Sequence, residues 1–124
     1  MNNTTIALAN DTLHRPPHRY QIYRQAKNGL HYNHGPIIDS PEQAVAAFLH
    51  TAPAFEGGDV RLWDHHEQRS VASAEWNVET TRMGFPVRHR TNLFEDEAVA
   101  ALAQRITERE QLERSISEQV HMAV

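Results

Sequence analysis

Two periods of hydrophobicity run through this chain, and together they divide it into strands and helices. Tyr20 to Ala26 is rich in Tyr and Ile, as strands are, and Leu30 to His34 repeats the pattern after Asn28-Gly29. An Asn-Gly pair between two such runs predicts a hairpin, because both turn positions need positive φ. A two-residue turn sets Lys27 opposite Leu30 and puts Tyr23, Leu30 and Tyr32 on one face. Gly35-Pro36 is expected to end the second strand.

The period then changes. Ser40, Pro41 and Gln43 make a helix start: an N-cap, a proline at N1 and a capping-box partner. Val45, Phe48, Leu49 and Ala52 follow at i, i+3, i+4 and i+7, which lays one apolar stripe along the helix before Pro53. Alternation returns in Val60 to Asp64 and Ser70 to Trp76, two strands around the turn His65-His66-Glu67-Gln68. Val78 to Thr81 extends the second of them, and Val87 to Arg90 forms a short fifth strand behind Pro86. Asn92 with Glu95 reads as a second cap, with Glu95, Asp96 and Glu97 favoured in the first turn by the helix dipole. Val99, Leu102 and Ile106 then make a stripe that loses phase: Leu112, Ile116 and Val120 keep an i, i+4 rhythm on another face. Either the helix bends near residues 107–110 or the second stripe faces another surface.

The fold expected is α+β: a mainly antiparallel sheet of four or five strands, in the order β-β-α-β-β-(β)-α, with two helices packed on one face. Residues 1–17 are polar, lack periodicity and contain Pro16-Pro17, so a flexible N-terminal arm is expected there. Residues 18–109 make the domain and 110–124 a C-terminal helix extension.

Composition narrows the function classes. The chain has 124 residues, of which 40% are hydrophobic, enough for one core. With no cysteine, it has no disulfide, thiolate metal site or cysteine nucleophile. No run approaches the roughly 20 apolar residues that span a bilayer, and residues 1–11 carry no secretory pattern. A cytoplasmic protein without a membrane partner is expected. The net charge of −4 arises wholly from Leu93 onward, where seven acids face Arg105, Arg109 and Arg114. That balance opposes a globally basic nucleic-acid binder.

Candidate chemistry is sparse. No phosphate-binding loop, nucleophile elbow, metalloprotease helix or dinucleotide fingerprint is present, so no catalytic residue and no cofactor are assigned. Asp64, His65 or His66, and Ser70 or Ser73 offer the residue types of a triad, as most chains of this length do. Glu75 and Glu79 share one strand face without any mark of burial. His31 and His34, three apart on a strand, point to opposite faces. His65 and His66 in their turn are the weak metal candidates, and a metal- or small-ligand-binding domain is the third functional reading. The second is a nucleic-acid-binding accessory protein. It uses Arg82, Phe85, Arg88, His89 and Arg90, a basic strand with an aromatic for stacking; Arg15, His18 and Arg19 form another cluster in the arm. The leading reading is a small non-enzymatic interaction module, an accessory or regulatory factor. It docks a protein partner or forms a homo-oligomer through Leu112, Ile116 and Val120, because apolar residues outside the core need a cover.

Overall fold

The computed structural model describes residues 19–26, 33–53 and 57–123. The N-terminal arm and the Asn28-Gly29 turn lie outside them. Five strands form one antiparallel sheet: β1 (Tyr20–Gln25), β2 (Asn33–Ile38), β3 (Asp59–Asp64), β4 (Arg69–Thr80) and β5 (Pro86–Phe94), in the spatial order β2-β1-β3-β4-β5. Helix α1 (Pro41–His50) follows β2, and α2 (Glu97–Ala123) follows β5. The architecture is the α+β sheet with two helices that the patterning predicts.

Alternation decides which side chains meet. Ile22, Val60, Leu62, Ala72 and Ala74 are buried on one sheet face, and Val45 and Phe48 of α1 and Val99, Ala103 and Ile106 of α2 close that face. Cross-strand pairs Ile22–Leu62, Leu62–Ala72 and Ala72–Phe94 carry the core across four strands. Phe48 and Phe94 meet edge to face, 6.1 Å between ring centres. The opposite face carries Gln21, Tyr23, Arg61 and Glu75 and has no helix over it among the described residues.

Several elements differ from expectation in instructive ways. Tyr23–His34 and Arg24–Asn33 pair in the register that a two-residue turn sets, but β2 does not stop at Gly35-Pro36. The register slips by one between Gln21 and Tyr23, and the strand runs on to Ile38. Proline is tolerated there because β2 is an edge. Glycine is needed because a Cβ at Gly35 would stand 2.6 Å from the Ile22 carbonyl oxygen. Ser40 caps α1 as predicted, its hydroxyl accepting from the Gln43 N–H at 3.3 Å.

The second cap is not Asn92. β5 extends through Phe94, and Asp96 caps α2, its Oδ1 accepting from the Val99 N–H at 3.0 Å. Tertiary pairing with β4 holds residues 91–94 extended and delays the helix start. That N–H first, and then Arg69 at 2.6 Å, holds the Asp96 carboxyl below its ordinary range.

Candidate functional site

α2 is continuous over 27 residues, about 40 Å at 1.5 Å per residue. Its buried positions end at Ile106, and two polar contacts to α1 follow: Arg109 to Glu42 at 2.8 Å and Glu110 to His50 at 2.7 Å. Residues 111–123 extend beyond them for about 20 Å. The positions that continue the core-facing line are Glu110, Glu113, Ser117 and His121, all polar. The apolar residues sit elsewhere. At 100° per residue, Leu112, Ile116 and Val120 form a row about 100° round the helix from Val99, Ala103 and Ile106. They are 61%, 51% and 60% exposed. Of the two outcomes the phase break allowed, the exposures match the second: the helix runs unbroken and the row faces outward.

The predicted basic strand lies on the β4–β5 hairpin. β3 ends its pairing at Glu75, so Trp76–Thr80 and Pro86–Arg90 continue as a two-stranded ribbon. Met83 and Phe85 are exposed at its tip. The cations are largely engaged with the domain. The Arg90 guanidinium donates to the carbonyls of Phe48 at 2.7 Å and Thr51 at 2.9 Å, and its Nε donates to Asn92 Oδ1 at 2.7 Å. Arg90 closes the C-terminal end of α1, where carbonyls lack partners and a cation is favoured. Burial pushes its guanidinium below the usual range. Arg88 lies over the Trp76 ring at 4.9 Å, and His89 meets Glu79 at 3.2 Å. Glu79 and Glu75 are both exposed.

The histidine turn is organised by Asp64. This buried carboxylate accepts from the His66 and Glu67 backbone N–H groups at 2.9 and 3.3 Å, and from Arg19 at 3.3 Å. Side-chain oxygens that accept from the chain two residues on stabilise turns in this way. His65 Nε2 lies 3.0 Å from Gln21 Oε1, and the Ser70 hydroxyl donates to the Ala72 carbonyl at 3.2 Å. The residue types of a triad are thus present, while Asp64 serves the turn and Ser70 the strand. Among the described residues no three His, Asp or Glu side chains converge as metal ligands. Beside the turn, Arg19, Tyr20, Val71, Asp96 and Leu102 line a cavity of about 270 Å³. Burial pushes the Tyr20 phenol upward.

Two structural roles escaped the sequence reading. The Asp64 hub had a readable signal, an aspartate directly before a polar turn. Arg90 as the α1 cap had none, because its partners are 39 and 42 residues away. No helix among the described residues is long and apolar enough to cross a membrane. No known protein family, curated protein or solved structure matches this chain.

Proposed function

We propose that the protein is a small non-enzymatic interaction module, an accessory or regulatory factor that self-associates through the outer part of α2. The observation that carries this reading is the exposed row Leu112, Ile116 and Val120 on a helix that has already left its domain. An antiparallel pair of extensions sets Ile116 against its own counterpart and Leu112 against Val120 of the second copy, an isologous contact that closes.

The strength of this contact can be bounded. Full burial of such a side chain is worth about 1.5–3 kcal/mol, and half or slightly more of each is still exposed, which leaves roughly 1 kcal/mol apiece. Six side chains in a pair give about 6 kcal/mol, against an association cost of about 4–15 kcal/mol. The six side chains alone therefore leave at most about 2 kcal/mol, and the millimolar dimer that the reading entails needs at least about 2 kcal/mol more from the rest of the helix–helix seam.

The test is light scattering from about 20 μM to 1 mM, on the full chain and on a chain ending at Glu110. The full chain is expected to gain mass with concentration. The shortened chain, which keeps the Glu110–His50 contact, is expected to stay folded and monomeric. A full chain that remains a monomer at 1 mM refutes self-association. A shortened chain that unfolds shows instead that the extension belongs to the core.

The nucleic-acid reading has less support, since Arg88, His89 and Arg90 are turned onto Trp76, Glu79 and α1. The ligand reading, made on His65 and His66, has less support too, since neither lines the cavity near Tyr20 and Asp64 there is already satisfied by Arg19 and the turn.

A further inference from the structure

The cavity of about 270 Å³ beside the histidine turn lies between the start of β1, the start of β4 and the first turns of α2. Its walls are of two kinds. Pro41, Val71, Val99 and Leu102 are apolar, and Arg19, Asp64, Glu67 and Asp96 are charged. The charged groups answer one another. Both Asp64 oxygens are taken, Oδ1 by the His66 and Glu67 N–H groups and Oδ2 by Arg19. Both Asp96 oxygens are taken as well, Oδ1 by the Val99 N–H and Oδ2 by Arg69, whose Nε also donates to Glu67 at 2.9 Å.

Tyr20 is the exception. Only 3% of the residue is exposed, and Arg19 covers its ring, 4.9 Å from the centre. The carboxylates whose charge acts on its phenol are the cavity's own Asp64, Asp96 and Glu67, so the hydroxyl is the part of the residue that faces the cavity. None of them bonds it, and neither does any other described residue. Buried polar groups are nearly always bonded, so an unmet hydroxyl in a cavity wall calls for a partner that enters the cavity.

The chemistry of that partner follows from its neighbours. A hydroxyl both gives and takes a hydrogen bond, and a group that does both answers it best. The acids around Tyr20 oppose a ligand that brings acceptors alone, such as a carboxylate or a ketone. An ammonium group brings donors alone. It would find every carboxylate of the wall already bonded, and the apolar side would strip it of water. A neutral hydroxyl has no charge to desolvate. The volume sets the size: it holds roughly nine groups as large as a water molecule, enough for a short branched chain or a single ring.

We propose that this cavity binds a small neutral alcohol or phenol, its hydroxyl paired with that of Tyr20 and its apolar body set against Val71, Val99 and Leu102. The site lies at the start of α2, apart from residues 111–123, and does not rest on self-association.

The test uses three molecules of one shape on the full chain: 3-methylbutan-1-ol, 3-methylbutylamine and 3-methylbutanoate. Each is titrated into isotope-labelled protein while the Tyr20, Val71 and Val99 amides are followed by NMR. The alcohol is expected to shift these amides saturably, with Kd on the order of 1 mM for a ligand of its size. The amine and the acid are expected to bind at least tenfold more weakly. Tyr20→Phe removes the hydroxyl and keeps the ring, so it is expected to melt in urea where the parent does and to weaken the alcohol at least fivefold. Leu102→Trp fills the cavity without touching the hydroxyl and is expected to abolish binding. An alcohol that shifts none of these amides at about 20 mM overturns the proposal, since the hydroxyl then bonds water only. So does an amine or an acid that binds as tightly as the alcohol, or an alcohol indifferent to both substitutions. A Tyr20→Phe chain of clearly lower stability overturns it too, because the hydroxyl then has its partner within the chain.

Discussion

Arg90 offers a sharp test of how the sheet and α1 hold each other. Its guanidinium spans two carbonyls at the end of α1, 2.7 and 2.9 Å away, and lies 5.0 Å from the Phe48 ring centre. Replacement by alanine removes both hydrogen bonds and the packing of the stem on Phe48 and Trp76. Hydrogen bonds to charged groups contribute about 1.5–3 kcal/mol each. The group is only half-buried and water reaches the freed carbonyls, so the lower figure applies to each bond. The sum is about 3 kcal/mol, a large part of the 5–15 kcal/mol typical of a whole domain. Arg90→Lys keeps the charge and loses the fork, so it can serve one carbonyl well and is expected to cost about half as much. Urea melts followed by circular dichroism measure both. With a slope near 2 kcal/mol/M, the alanine variant shifts the midpoint down by about 1.5 M. A loss below about 0.5 kcal/mol, or a lysine variant as stable as the parent, would falsify the capping role.

Other substitutions test the helices. Ser40→Ala is expected to cost about 1 kcal/mol through the lost N-cap bond, and Phe48→Ala about 3 kcal/mol or more, since Phe48 is fully buried; equal small losses in denaturant melts would mean that α1 presents another face inward. Asp96 is held below its ordinary value near 3.8, so its contribution is fully present at neutral pH and is lost as pH falls through the lower folded value. Asp96→Asn keeps a capping side chain and loses the pair with Arg69, so its stability deficit is expected at pH 7 and should shrink by pH 3; a deficit unchanged with pH contradicts this account.

Much of the fold was legible because local and tertiary preferences agree. The alternation of Val60, Leu62, Ala72 and Ala74 names the buried sheet face, and Ser40-Pro41 marks the start of α1 within a residue. The errors lie where partners distant in sequence prevail. Asn92 looks like a cap until β4, a strand of 12 residues, holds it extended. Pro36 looks like a stop until the strand is known to lie at an edge. The outward row on α2 could be read because helical phase is arithmetic on one segment. The cavity at Tyr20 could not, because Tyr20, Val71 and Leu102 come together only through the packing of α2 on the sheet.

The place of β1 between β2 and β3 bears on how quickly the chain finds this structure. β1 pairs with β2 close in sequence, but its other neighbour is β3, so that Gln25 meets Asp59 and Tyr20 meets Asp64. Closing a loop of that length costs about 3 kcal/mol of chain entropy before any contact returns it. The β3-β4-β5 meander and the β1-β2 pair have no such barrier within themselves. The late event in folding is then the docking of these two halves along β1 and β3, with α1 carried between them. Truncating Ile22 should accelerate unfolding far more than it slows folding, with a φ-value near zero. High φ-values at this seam would place the long closure first and reverse the order.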